Sequence, residues 1–221
     1  MTITLIEIGK HPEEPLHAGI MLHLPTETPY GNFTLKWVDM MTRLDEANKQ
    51  IVSSHEHWEA TRYGNIEDSL QGMFNRHRFA TEYAVTGMRR VADELIALIW
   101  CLERQKLDGE YPQHVKPDDI GAMFKIQYEG PDGILKPHED LLRLLNDLSN
   151  ALKHSFIQSD LIRTGSDEVT VIAQNMFRAN RKHPLTSFEV TLNYLTSQYN
   201  LFFHDCRKWL TQHCQIQQYQ D

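Results

Sequence analysis

A chain of 221 residues, 41% hydrophobic and 24% charged, holds enough apolar material for one sizeable core, which excludes wholesale disorder. No apolar run approaches the roughly 18 residues that span a bilayer, and a net charge of −8 excludes a broad basic face for nucleic acid. An anionic ligand has to be met locally, because residues 1–72 carry −6, residues 73–149 −3 and residues 150–221 +1.

Residues 1–33 read as an irregular arm containing Pro12, Pro15, Pro25 and Pro29. Within it, Thr2 to Ile8 shows β-branched residues and partial alternation, which fits a short edge strand. It has no basic stretch before an apolar one, so it does not read as a signal peptide. A first helix is expected from Thr34 to Arg62, where Trp37, Met40, Leu44, Ile51 and Trp58 recur at helical spacing. After a break at Tyr63-Gly64-Asn65, a long helix is expected from Ile66 to Leu107. Leu70, Met73, Phe74, Tyr83, Met88, Val91, Leu95, Ile99 and Leu102 form its apolar stripe, and Gly72 and Gly87 mark close packing or a bend. Leu95 to Leu102 is flanked by charges and reads as the buried stretch of that helix, with Cys101 in the core.

Residues 108–137 form a connector with a short helix expected from Pro117 to Gln127. Pro137 then opens a helix to Ile157, whose broad apolar face suits a central position. Val169 to Ala173 and the alternating Phe188, Val190 and Leu192 predict a hairpin over about 168–192. Asn193 is placed to cap a final helix, and Gln215 to Asp221 is expected to fray. The fold class is mainly α: a bundle of about four main helices with a small β-hairpin before the last, forming one domain over residues 34–214. Cys101, Cys206 and Cys214 lack CxxC spacing, which points to reduced thiols and a cytoplasmic setting rather than disulfides or structural zinc.

Chemistry concentrates on Asn150, Lys153 and His154. At i, i+3 and i+4 they converge at the edge of an apolar helix, an amide, an ammonium and an imidazole together. Such a trio can bind an anion, or the histidine can act as general acid or base near neutral pH. The competing reading is a satisfied polar contact between helices or protomers. His55-Glu56-His57 with Glu59 reads as a solvated helix face, because the two rings point about 200° apart and cannot share a metal. Arg89–Asp93 and Arg90–Glu94 are i,i+4 pairs whose default is mutual ion pairing. The alternative is that Asp93 or Arg90 faces the Asn150–His154 trio across the bundle. No cofactor is implied.

The segment Leu145-Asn146-Asp147-Leu148-Ser149-Asn150-Ala151-Leu152-Lys153-His154-Ser155 resembles the signature helix of the HEPN superfamily. Those proteins are helical bundles, commonly dimeric, and many are metal-independent ribonucleases of toxin–antitoxin, phage-defence and RNA-processing systems. Their motif runs Arg, a polar residue, two to four residues, then His. By this resemblance His154 takes the place of the motif histidine and Asn150 that of the polar residue, while Ser149 stands where the arginine belongs. Losing that cation removes the bidentate partner of a scissile phosphate. The resemblance therefore implies a non-catalytic homodimer, joined through this helix, that binds RNA, a nucleotide or a protein partner in a defence or toxin–antitoxin setting. Its alternatives are a ribonuclease using His154 with Lys153 and an arginine from another helix, and an interaction module without a ligand.

Overall fold

The computed structural model describes residues 2–9, 22–63, 72, 74–154, 167–175 and 186–217. Two long helices, α1 (Phe33–Tyr63) and α2 (Phe74–Asp108), are followed by the short α3 (Ile120–Lys125) and two 3-10 turns, Pro131–Gly133 and Lys136–His138. Then come α4 (Glu139–His154), the strands β1 (Thr170–Asn175) and β2 (Thr186–Thr191), and α5 (Leu192–Gln217). The expected mainly helical bundle, four main helices with a hairpin before the last, is therefore what the chain forms. Leu70, Met73, Phe156 and the continuation of the α4 pattern to Ile157 lie outside the described residues, as do the linking segments.

The helical periods close one core. α1 and α2 run antiparallel, with Ser54 across from His77 and Ala47 across from Gly87. A Cβ built on Gly87 would meet the Ala47 methyl at 3.4 Å, so this glycine marks close packing rather than a bend. α2 touches α1, α3, α4 and α5, which makes it the hub of the bundle. Its Val91, Leu95, Ile96 and Ile99 are fully buried. Trp37 of α1 stacks on Phe203 of α5 at 5.9 Å and 9°, tying the first helix to the last. Cys101 is buried as expected, and burial pushes its thiol up to about 11. No helix among the described residues is long and apolar enough to cross a membrane.

Local starts and stops differ from the sequence reading where distant groups decide them. α3 begins at Ile120, three residues after Pro117. Asp119 caps it by accepting from Ala122 N–H at 2.6 Å, and Asp93 of α2 accepts from Ile120 N–H at 2.9 Å. Pro137 lies in a 3-10 turn that precedes α4. The hairpin pairs antiparallel with Thr170 opposite Thr191 and Asn175 opposite Thr186, so its strands extend further toward their connection than the alternation suggested. Asn193 is not the cap of α5. Thr191 is, its hydroxyl accepting from Tyr194 N–H at 3.2 Å.

Asn193 serves the amino-terminal arm instead. Residues 2–8 do not form the expected edge strand: no strand among the described residues pairs with them, and Ile8 N–H bonds back to the Ile6 carbonyl at 3.0 Å. Their main chain bonds to asparagine side chains of α1 and α5, with Ile6 and Ile8 inserted into the core beside Leu22 and Leu24. The arm is thus part of the domain at both its described ends.

Leu95→Ala is expected to cost about 2–5 kcal/mol of unfolding free energy in urea titration, whereas Leu35→Ala, at a 65% exposed position, should stay within about 0.5 kcal/mol. Equal effects would contradict the placement of α2 at the centre.

Candidate functional site

α4 is amphipathic, and its polar stripe carries most of the candidates. Leu145, Leu148, Ala151 and Leu152 face the core, leaving Arg143, Asn146, Asp147, Asn150 and Lys153 on the outer side. Asn150 is half-buried and Lys153 exposed, the sharing of one face that i,i+3 spacing implied. His154 is the last residue of the helix, and its side chain lies outside the described residues. Ser149 differs in kind. It is fully buried, and its Oγ has no hydrogen-bond partner among the described residues. The position matching the motif arginine therefore points into the bundle and away from the stripe holding Asn150 and Lys153.

The charged group on α2 is divided among three places. Arg89 and Asp93 form the expected i,i+4 pair at 3.6 Å, and both are nearly buried. Asp93 accepts from Ile120 N–H as described, and burial raises its carboxyl above the usual range. It is thus a tie to α3. Arg89 reaches α4 instead, its guanidinium donating to Asn146 Oδ1 at 3.4 Å, one turn before Asn150. Arg90 pairs with Glu94 at 2.8 Å as expected, on a side of α2 that opens toward α1. Arg90 and Asp93 are therefore not gathered with Asn150 and Lys153; the arginine that approaches that helix is Arg89.

Arg90 lines a groove of about 480 Å³ between α1 and α2, together with Arg43, Glu46, Gln50, Tyr83 and Thr86. The close approach of Ala47 and Gly87 forms its floor. Tyr83, read from sequence as part of the apolar stripe, is 65% exposed and belongs to this groove. Arg43 is held by Asp39 at 2.9 Å and Arg90 by Glu94, both along their own helices. The exposed Arg43–Asp39 pair is worth only about 0.3–0.5 kcal/mol, whereas Glu94 is 13% exposed and holds Arg90 more firmly. Residues 74–94 hold Arg76, Arg78, Arg89 and Arg90 against Glu82, Asp93 and Glu94, a balance of +1. Around this opening stand an aromatic ring, two arginines, the Thr86 hydroxyl and the Glu46 carboxylate, which accepts from the Gln50 amide at 3.0 Å.

Three buried histidines, His55, His77 and His138, take roles the sequence reading did not give them. His55 is not on a solvated face: it is buried at 1% exposure, and neither ring nitrogen has a hydrogen-bond partner among the described residues. His77 is also buried. Its Nδ1 lies 3.0 Å from the Ser54 carbonyl, and Ser54 Oγ contacts Thr81 Oγ1 at 2.7 Å. This network joins α1 to α2 beyond the groove. His138 Nε2 sits 2.9 Å from Asp205 Oδ2, fastening the turn before α4 to α5. Only the folded contacts reveal these roles, since the partners lie 23 and 67 residues apart.

Burial holds His55 and His77 below the ordinary histidine value of 6.5. The unfolded chain therefore takes up these protons first as pH falls. Their contribution to stability is full above 6.5 and is lost as pH drops through that value toward the lower folded ones. Urea midpoints measured from about pH 7.5 down to about pH 5 should fall, and His77→Gln should flatten the slope. An unchanged slope in the variant would remove His77 from this account.

No family model, curated protein or solved structure matches the chain.

Proposed function

We propose that the chain is a HEPN-like, non-catalytic binding protein that takes an anionic, base-bearing ligand, a nucleotide or a short stretch of RNA, in the groove between α1 and α2. The observation that carries the non-catalytic part is the full burial of Ser149. A phosphate-clamping arginine must reach the ligand, and a side chain at this position enters the core instead. The ligand class is supported by Arg43 and Arg90 flanking the exposed Tyr83 in one opening. The reading includes a homodimer seam along the polar stripe of α4 and a cytoplasmic setting, for which the buried free thiols Cys101 and Cys206 argue.

A second reading has its own observation. Arg89 contacts Asn146 on α4, so an arginine from another helix stands near the Asn150–Lys153 face. In that reading His154 is the general acid or base of a metal-independent ribonuclease, with Lys153 beside it. An interaction module for a protein partner, without a small ligand, is the third outcome.

Fluorescence anisotropy with labelled single-stranded RNA and with nucleotides, alongside gels of RNA incubated with a chelator, separates these. The expected result is binding that weakens with salt and is reduced about tenfold, about 1.4 kcal/mol, by Arg90→Ala, with no cleavage. Metal-independent cleavage that disappears in a folded His154→Ala variant would replace the first reading with the second. Neither binding nor cleavage would leave the interaction module.

Ser149→Arg tests the carrying observation directly. Placing a guanidinium in the core should cost about 3 kcal/mol or more in denaturant titration and should not produce ribonuclease activity. A stable variant that gains cleavage would show that the position faces a functional seam.

A further inference from the structure

The groove between α1 and α2 has two unlike ends. Its floor is the contact of Ala47 with Gly87. Because the helices run antiparallel, Arg43 and Arg90 lie one turn to one side of that contact, and Gln50 and Tyr83 one turn to the other. The two ends are about 10.5 Å apart along the helices. The cationic end keeps donors in reserve. Arg43 gives its Nε to Asp39 and Arg90 its Nε to Glu94, so the terminal amino groups of both make no hydrogen bond among the described residues. Such a pair of terminal amino groups is a fork that fits phosphate oxygens.

Glu46 stands beside the floor, on the α1 wall, between the two ends. Gln50 Nε2 donates to its Oε1 at 3.0 Å, and Lys49 Nζ to its Oε2 at 3.0 Å. These donors fix both oxygens and hold the carboxyl below its usual range, which keeps it a pure acceptor. A carboxylate offers about four lone-pair sites, so each oxygen can accept one bond more. Two parallel acceptors bearing negative charge match one nucleobase edge. Guanine presents N1–H and the N2 amino group side by side. Adenine and cytosine present a donor beside a ring-nitrogen acceptor, and uracil a donor between two carbonyls. Each of these sets a lone pair against the carboxylate. The same charge repels phosphate from the middle of the groove and leaves it the arginine end.

We propose, resting on the reading of this groove as a nucleotide site, that Glu46 makes it selective for guanine. The carboxylate takes N1–H and the N2 amino group on its two oxygens, and the base lies against the exposed Tyr83 ring. The phosphates meet the free forks of Arg43 and Arg90. Gln50 and Lys49 are positioning residues that hold the carboxylate. An opening of about 480 Å³ admits one such nucleotide.

Calorimetric titration of the full chain with guanosine, inosine and adenosine 5′-diphosphates tests it. The guanosine diphosphate should bind about tenfold tighter than the adenosine diphosphate. The inosine diphosphate should fall between them, since its base keeps N1–H and lacks the N2 amino group. Glu46→Gln exchanges one acceptor for a donor, the pair that matches N1 and N6 of adenine, so the order should reverse. Glu46→Ala should remove the preference without creating another. The Glu46 side chain is 58% exposed, so both variants should keep the fold, which circular dichroism checks. Anisotropy with labelled UUGUU and UUUUU ribopentamers separates the two sources of the base. A preference for UUGUU without binding of the diphosphates assigns the guanine to RNA. Equal affinity for guanine and its competitors, or a guanine preference that survives Glu46→Gln, overturns the selectivity and leaves the groove reading standing. Binding of neither diphosphates nor pentamers overturns both.

Discussion

The burial of α2 on several sides is the constraint on which the rest of the structure depends. Contact with α1, α3, α4 and α5 leaves almost no direction in which its central turns can hold a polar group. Removing the fully buried Leu95, Ile96 and Ile99 from water contributes on the order of 1.5–3 kcal/mol each, offset by the entropy of ordering them. A charge buried in such a helix is costly unless it is paired. Asp93 illustrates the condition, since burial disfavours its charge while Ile120 N–H and Arg89 hold it. The same residue thereby sets the start of α3, and Arg89 carries the connection on to Asn146 of α4. One short polar chain thus positions three helices inside an otherwise apolar contact.

Much of this was legible in the sequence because apolar periodicity reports burial directly. The four main helices, the hairpin and the buried Cys101 all follow from residue spacing and type, while at Gly87 spacing left close packing and a bend both open. The errors share a cause, which is a partner far away in sequence. Pro117 suits a helix start, yet Asp93 and Asp119 place the start at Ile120. Asn193 suits a cap, yet its amide is engaged by the main chain of Thr2 and Thr4, and Thr191 caps instead. Alternation in residues 2–8 suggested an edge strand that does not form, since nothing local says that asparagines of two helices hold this main chain. His55 failed for a related reason, since its polar neighbours Glu56 and Glu59 are exposed while its own ring turns inward.

The site was legible in part. Spacing placed Asn150 and Lys153 on one face, and the default ion pairs of Arg89 and Arg90 formed. The groove was hidden because a tyrosine at a helical repeat looks the same whether it faces core or cleft. Tyr83 is 65% exposed and lines the opening with Arg43 and Arg90, one turn from the Ala47–Gly87 contact. Close approach at one level thus adjoins an opening at the next, and the residues that make the contact are not the ones that line the opening with charge.

Ser149 decides how far the helix resemblance extends into chemistry. On a helix, neighbours in sequence lie about 100° apart, so Ser149 and Asn150 cannot both look outward unless the apolar face is narrow. Here it is broad: Leu145, Leu148, Ala151 and Leu152 occupy it, and Ser149 lies among them. A small hydroxyl fits there, even with its Oγ unpartnered, whereas a guanidinium would have to be desolvated against leucines. A serine therefore suits the direction this position faces, and a helix committed to packing along this side has no room for a guanidinium there.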